Sequence, residues 1–321
     1  MSTEAPATAP AADPAAHDTL PVRRVAVTGA TGLIGAALVR QLEREGVQVR
    51  RLVRSRAKAR GGDVYWNPEA GEIDAEGLAG IDAAVHLAGE SVAARWTDDR
   101  RRRILRSRVD GTSLLARTLA ALQPRPAVLV SASAVGIYGS RGDDELAEES
   151  ATGGDFLAAV CREWEAAAKP AAEAGIRVVN TRFGIVLSAD GGALGQMLPP
   201  FRMGAGGKLG NGRQWMSWIS LEDTVGAIRF CMEHDEVSGP VNVVGPAPVR
   251  NDEFAQTLGA VLGRPAVVPV PAFALRLLFG DMADGAILAS QRALPRRLTD
   301  HGYHFRHPTL SGALSAALRA G

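Results

Sequence analysis

The chain has 321 residues, of which 46% are hydrophobic and 22% charged, and these values are ordinary for a globular protein. Lysine and arginine number 36 against 35 aspartates and glutamates, so no net field attracts nucleic acid or a membrane surface. The two cysteines form no paired metal or disulfide motif, and no apolar run approaches the roughly 20 residues of a membrane span, which predicts a cytoplasmic protein.

The first 20 residues are rich in Ala, Pro and Thr and have no apolar period, which predicts a disordered tail over residues 1–20. From Arg24 onward, short apolar runs alternate with helical segments, the pattern of a parallel βαβ sheet. After Ser188 the chain becomes rich in Gly and Pro. We therefore predict an α/β protein with a doubly wound, Rossmann-type parallel sheet and a smaller C-terminal, substrate-side domain. The sheet domain is assigned residues 21–190 and about 216–246, and the smaller domain residues 191–215 and 247–321.

The strongest motif is TGATGLIG, Thr28 to Gly35, between a predicted strand and a predicted helix. Its first glycine permits a tight turn, its second a close approach of backbone to a pyrophosphate, and its third close helix packing. The helix N-terminus then offers free N–H groups to the phosphates. The motif predicts a dinucleotide site formed by Gly29, Thr31, Gly32, Leu33, Ile34 and Gly35. A tight strand–helix turn without a ligand is the alternative.

The end of the second strand distinguishes NADP(H) from NAD(H). An acid there would bind the free ribose hydroxyl and repel a 2′-phosphate. Here the segment carries basic residues and Ser55 and no acid, and Arg54 is predicted to hold the phosphate through its guanidinium fork. NADP(H) is therefore favoured over NAD(H), with a solvated basic turn as the alternative.

TGATGLIG, the HLAG of His86–Gly89 and SASAVGIYG from Ser131 to Gly139 together resemble an extended short-chain dehydrogenase. The chain resembles more narrowly an atypical, epimerase-like subgroup, through motifs such as SRVDGT, TRFGIVLS, GRQWMSWIS and ASQRALPRRL. The resemblance covers nearly everything from Arg24 onward and implies an NADP-binding Rossmann-type fold with a small C-terminal domain. It also implies further cofactor contacts from Leu87, Ala88, Gly89, Glu90, Arg108, Ser131, Ala132, Arg182 and Gly184.

Typical members use a Ser to polarise the substrate oxygen, a Tyr to transfer the proton, and a Lys whose charge lowers the Tyr pKa. The Ser matches Ser133, with an uncertainty of one residue in the alignment, and a strand-end serine that satisfies backbone groups is the alternative. In register, Leu157 stands at the Tyr position and Cys161 at the Lys position. Leucine carries no transferable proton, which excludes the usual mechanism. Tyr138 is a possible substitute, although an aromatic residue packed under a loop is the alternative that we prefer.

Two functions remain open. The first is an NADP(H)-dependent oxidoreductase or epimerase acting on a small molecule, and the second a non-catalytic NADP(H) sensor or interaction protein. His301, His304 and His307 recur every third residue without an evident partner ligand, and no metal site is predicted. We expect no nucleic-acid or membrane partner, while a homo-oligomer remains possible. Neither the substrate nor the proton donor follows from the sequence.

Overall fold

The computed structural model describes residues 22–56 and 59–319. The predicted tail at 1–20, and Lys58 in the basic segment after the second strand, lie outside these residues. Among the described residues, no helix combines the length and apolar composition needed to cross a bilayer.

Strands and helices alternate along most of the chain. The strands are β1 Arg24–Thr28, β2 Gln48–Val53, β3 Val64–Asn67, β4 Glu72–Ile73, β5 Ala83–His86, β6 Val128–Ala134, β7 Glu145–Leu146, β8 Arg177–Phe183, β9 Ile185–Leu187, β10 Trp215–Met216, β11 Trp218–Ser220, β12 Gly239–Val243, β13 Val249–Arg250 and β14 Arg292–Ala293. The helices are α1 Leu33–Arg44, α2 Asp98–Ala121, α3 Phe156–Ala166, α4 Lys169–Glu173, α5 Gly192–Arg202, α6 Leu221–Glu233, α7 Asn251–Leu262, α8 Ala272–Phe279, α9 Arg296–Asp300 and α10 Leu310–Arg319.

The central sheet has eight strands in the order β12-β8-β6-β5-β1-β2-β3-β4. All neighbouring pairs are parallel except β3 and β4. The strand order reverses between β1 and β5, so the loops that leave these two strands diverge and open a crevice at their carboxyl ends. This arrangement confirms the predicted doubly wound, Rossmann-type fold and places TGATG and HLAG on the two sides of that crevice.

Each face of the sheet is covered by helices because its strands are apolar on both sides. On one face, α1 and α6 contribute Leu38, Leu42 and Ile228 to a core with the valines of β1. On the other face, α2 contributes Leu115 and Leu119. Burial on both faces explains why these strands read as continuous apolar runs rather than as alternating patterns.

A third core lies under the C-terminal part of the chain. Leu194 and Leu198 of α5 pack there with Phe254 of α7 and Leu314 of α10, and Trp218 of β11 completes the cluster. The smaller C-terminal region therefore has apolar contacts of its own. The domain boundaries that the sequence suggests stay predictions.

Candidate functional site

The glycine-rich turn joins β1 to α1 at the crevice. Gly29 adopts φ +65°, and a Cβ there would lie 2.8 Å from the carbonyl carbon of Leu87. A Cβ on Gly35 would lie 2.2 Å from the carbonyl oxygen of Gly29, so α1 begins directly against the turn. Gly32 is the N-cap of α1, and no side chain caps that helix. The turn thus presents the positive end of a helix, with free N–H groups, to the crevice.

The remaining residues of the motif surround the turn. Thr31 is exposed, whereas Leu33 and Ile34 are half-buried. A Cβ placed on Gly192, at the start of α5, would lie 3.4 Å from Cδ2 of Leu33. The beginning of the smaller C-terminal region therefore reaches the glycine turn.

Thr28 links the two sides of the crevice at its base. Its buried Oγ1 accepts hydrogen bonds from the backbone N–H groups of Leu87, at 3.0 Å, and Ala88, at 3.1 Å. Its hydroxyl lies 2.8 Å from Nδ1 of His86. Since Oγ1 already accepts two bonds, its own proton is available to Nδ1. Burial, together with the positive charge of the nearby Arg108, lowers the pKa of His86 to about 4, so the ring is neutral at pH 7.

Arg54 lies just beyond the last residue of β2, where the ribose-binding residue of a dinucleotide site is expected. Its side chain is exposed and makes no ion pair or hydrogen bond with any residue in 22–56 or 59–319. Its neighbours are engaged: Arg51 pairs with Asp63 at 2.8 Å, and the Arg56 guanidinium lies 3.9 Å from the centroid of the Tyr65 ring. Ser55 is half-buried. The Arg51 pair also neutralises an acid that could have repelled a phosphate.

The segment after β5 forms the opposite side of the crevice. Arg108 of α2 reaches under it and donates to the carbonyl oxygens of Glu90, at 2.9 Å, and Ile104, at 3.1 Å. The same guanidinium lies 4.8 Å from the Trp164 ring centroid, and a Cβ on Gly89 would lie 3.4 Å from it. Burial lowers the pKa of Arg108. Arg108 thus holds the segment from within, and direct contact with a cofactor phosphate stays a prediction.

Glu90 is held from outside the segment. Its carboxylate forms a 2.8 Å ion pair with Arg100, and its backbone N–H donates to Ser107 Oγ at 3.0 Å. These contacts hold the segment between β5 and α2 in place against α2.

Ser133 lies near the end of β6 in a buried polar network. Its hydroxyl donates to Glu165 of α3 at 2.7 Å. Glu165 in turn forms a two-point ion pair with Arg182 of β8, at 2.8 and 2.9 Å. Ser133 is therefore the partner of a buried carboxylate in this conformation. Polarisation of a substrate oxygen by Ser133 stays a prediction.

Arg182 and Tyr138 extend this network into the core. Arg182 is 5% exposed and donates to the Tyr138 hydroxyl at 2.9 Å and to the Glu148 carbonyl at 2.8 Å. The Tyr138 hydroxyl donates to Asn242 Oδ1 at 2.7 Å, and the residue is 0% exposed. Burial raises the pKa of Tyr138, which Arg182 partly opposes. This geometry fits the packing interpretation of Tyr138 and leaves its hydroxyl no exposed proton path.

The two positions at which the sequence predicts replacement of the usual Tyr and Lys have apolar surroundings. A Cβ added to Gly136 would lie 3.5 Å from Cβ of Leu157, which packs near Trp96 and Ile104. Cys161 is buried, and burial raises the pKa of its thiol to about 11, opposed by Arg108. A thiol with this pKa is protonated at neutral pH and cannot replace the positive charge of a lysine.

The other predicted positions lie along the strands. Ser131 and Ala132 are buried within β6. Gly184 follows β8, and a Cβ there would meet the Ser217 carbonyl oxygen at 2.4 Å, so the glycine is needed for close packing. Within the described chain no three His, Cys, Asp or Glu side chains converge as metal ligands, and His307 instead contacts Glu222 at 2.8 Å. The expected lack of a metal stays a prediction.

Sequence reasoning missed the Ser133–Glu165–Arg182–Tyr138 network. One signal could have found part of it: Arg182 is a charged residue near the end of β8, and a charge in a buried strand needs a partner. The identity of that partner depends on the packing of α3 against β6 and β8, which sequence spacing does not provide.

Comparison with known proteins agrees with this architecture. Residues 25–245 match the NAD dependent epimerase/dehydratase family, and residues 270–317 match a domain of unknown function, DUF1731. The chain is 44% identical over 294 residues to epimerase family protein MT2273 of Mycobacterium tuberculosis, covering 91% of this chain and 97% of the relative. It is 37% identical over 295 residues to the human epimerase family protein SDR39U1, covering 91% of this chain and 98% of the relative.

Solved structures show the same likeness. The human SDR39U1 crystal structure with NADPH has a TM-score of 0.85 at 36% identity, over 92% of this chain and 99% of that chain. A nucleoside-diphosphate sugar epimerase from Corynebacterium glutamicum has a TM-score of 0.75 at 37% identity, over 94% of this chain and 59% of that chain. The resemblance inferred from the sequence motifs is confirmed: this chain belongs to the NAD dependent epimerase/dehydratase family.

Proposed function

We propose that the chain is an NADP(H)-binding oxidoreductase or epimerase-like enzyme whose substrate is a small molecule. Two observations carry the cofactor assignment: the Arg54 guanidinium just beyond β2 is exposed and has no ion-pair partner among the residues that the structure describes, and the N-terminus of α1 has no side-chain cap. The helix end suits the pyrophosphate, and the guanidinium suits the 2′-phosphate of NADP(H). The NADPH in the crystal structure of the human relative supports the same choice.

In this proposal the cofactor supplies hydride chemistry, and the protein orients it. Thr28 fixes the backbone of Leu87 and Ala88 through hydrogen bonds. Gly29 has no Cβ, so the glycine turn can pack directly against the backbone of these two residues. Leu157 closes the position where a catalytic tyrosine usually stands. The proton would therefore come from solvent or from the substrate pocket rather than from α3.

The cofactor assignment is tested by titrating NADPH and NADH into the wild type and into Arg54→Ala, with fluorescence or calorimetry as readout. A lost charge-assisted phosphate contact is worth about 1.5–3 kcal/mol, so NADPH should bind Arg54→Ala roughly tenfold or more weakly, with NADH unchanged. The control is Arg44→Ala, which removes the same charge from an exposed position at the end of α1. Equal NADPH affinity in both variants and the wild type would remove the basis for NADP(H) selectivity.

A second candidate is a non-catalytic protein that senses NADP(H). The observation favouring it is the buried network that engages both Ser133 and Tyr138 internally. Purified protein with NADPH and a broad carbonyl panel separates the two functions: oxidation of the cofactor supports the enzyme. No turnover, together with altered hydrogen exchange at residues 191–212 on binding NADPH, supports the sensor.

A further inference from the structure

A cavity of about 460 Å³ lies between the loop after β6 and the C-terminal region, outside the dinucleotide crevice described above. One wall is Gly142 and Asp143, from the loop after the turn that follows β6. The opposite walls come from the loop before β10 and from the beginning of α8. Loops after the carboxyl ends of parallel strands are where open α/β sheets bind their ligands.

The cavity wall is rich in guanidinium groups. Arg213, Arg250 and Arg276 line it, against two acids, Asp143 and Asp284, which leaves one positive charge in excess. Arg276 pairs with Asp284 at 2.9 Å, and Arg250 pairs with Asp143 at 3.0 Å. Hydrogen bonds from Trp215 and from Arg276 lower the pKa of Asp143 and Asp284, respectively, so both acids are ionised at neutral pH.

Arg213 is the excess charge. Its side chain is exposed at the cavity and has no ion pair or hydrogen bond within the part of the chain that the structure describes. Its backbone is held at both ends: the N–H donates to Asn211 Oδ1 at 2.9 Å, and the carbonyl oxygen accepts from Arg250. Ala272, the first residue of α8, lines the same cavity, so the positive end of that helix adds to the field.

The walls of the cavity come from segments that are distant in sequence, and hydrogen bonds between these segments hold them together. The Ser290 hydroxyl donates to the Gly142 carbonyl at 2.6 Å and accepts from the Trp215 N–H at 3.0 Å. The Asn251 side chain accepts from the Leu209 N–H at 2.7 Å, and Gln214 Nε2 donates to the Leu209 carbonyl at 3.2 Å. These bonds hold the loop that carries Arg213, so the site is preformed.

We propose that this cavity binds an anionic group, phosphate or carboxylate, of the small-molecule substrate, with Arg213 as its principal contact. The Arg213 guanidinium acts on Asp143 only through its charge and has no ion pair among the described residues, so it offers two parallel donors, the geometry that both groups accept. Arg250 and Arg276 enlarge the positive wall. This proposal rests on the proposed function, because it names the substrate class of the same protein.

The test titrates inorganic pyrophosphate, and separately malonate, into protein saturated with NADPH, at constant ionic strength and with calorimetry as readout. Saturation with NADPH keeps pyrophosphate out of the glycine turn. We expect at least one anion to bind the wild type and to bind Arg213→Ala at least tenfold more weakly. Arg213→Lys keeps the charge but not the fork, and it should recover part of the affinity. The anion that binds more tightly identifies the group.

Arg117→Ala serves as the matched control, because Arg117 is exposed on α2 and its loss changes the net charge equally. Equal affinity of Arg213→Ala and the wild type overturns the proposal, as does a wild type that binds neither anion. Arg54→Ala separates this proposal from the cofactor assignment. Weaker NADPH binding by this variant, with the anion still bound at high NADPH, supports both proposals. Weaker NADPH binding together with loss of anion binding overturns only the substrate proposal, and unchanged NADPH binding with the anion still bound overturns only the cofactor assignment.

Discussion

At the glycine turn, the helix N-terminus has no side-chain cap and Arg54 has no partner within residues 22–56 and 59–319. At the end of β6 the polar groups are instead bound to one another, from Ser133 through Glu165 and Arg182 to Tyr138. Both regions lie at carboxyl ends of strands in the same sheet. Donors left free suit a ligand, whereas donors satisfied internally stabilise the fold.

This contrast is relevant to the predicted absence of the catalytic tyrosine and lysine. α3 still packs against the sheet, but its inward polar side chain, Glu165, forms a buried ion pair with Arg182. The helix therefore has a structural function, although the sequence predicts Leu157 and Cys161 at the usual catalytic positions. We therefore expect different effects of substitution in the two regions. Substitutions in the buried network should lower the stability of the fold, whereas substitutions at the glycine turn should weaken ligand binding.

The largest effect on stability is expected for Glu165→Gln. Removing one partner leaves the Arg182 guanidinium, 5% exposed, without its counter-charge. Breaking a buried pair in this way typically costs about 3–5 kcal/mol. Urea denaturation should show this loss in the free energy of unfolding, while the folded variant keeps its NADPH affinity. Glu163→Gln, an exposed change on the same helix, is the control. Stability equal to that of the control would contradict the structural role of the network.

Gly35→Ala should have the next largest effect on stability and the greatest effect on the cofactor. The new Cβ would lie 2.2 Å from the Gly29 carbonyl oxygen, so α1 or the turn must shift. Overpacking of this kind costs roughly 1–3 kcal/mol. NADPH should also lose much of its ability to raise the melting temperature, because the turn no longer fits the pyrophosphate. Gly154→Ala, where a Cβ meets nothing within 4 Å, provides the comparison. Unchanged NADPH stabilisation would argue against this turn as the binding site.

The smallest effect is a pH dependence from His86 beneath the turn. Its folded pKa is about 4 against 6.5 for the free side chain, so the unfolded state binds the proton more tightly between these values. Stability should therefore fall as the pH drops from 6.5 toward 4, by about 2 kcal/mol between pH 7.5 and pH 5. His86→Gln, which keeps an acceptor for Thr28 but does not titrate there, should lack this slope. Parallel stability curves for the two proteins would refute a neutral, buried His86.

Much of the fold and of the cofactor side follows from local sequence. β1, the glycine turn and α1 are predictable because they follow one another without interruption from Arg24 to Arg44, and the close packing of the turn requires glycine. Arg54 could be located because it directly follows a strand, although whether it is free or paired could not be foreseen.

The substrate side is different, because its parts come together only in the folded chain. Ser290 meets Gly142 across 148 positions of sequence, and Tyr138 meets Asn242 across 104. No spacing rule connects residues so far apart, and one sequence offers no measure of which pairs touch. The sequence by itself therefore determined a dinucleotide-type turn, and it predicts that the catalytic tyrosine and lysine are absent. Only the tertiary structure decided that Ser133 and Tyr138 are bound internally and that Arg213 has no ion-pair partner among the described residues, because burial and pairing are set by segments that pack together from across the chain.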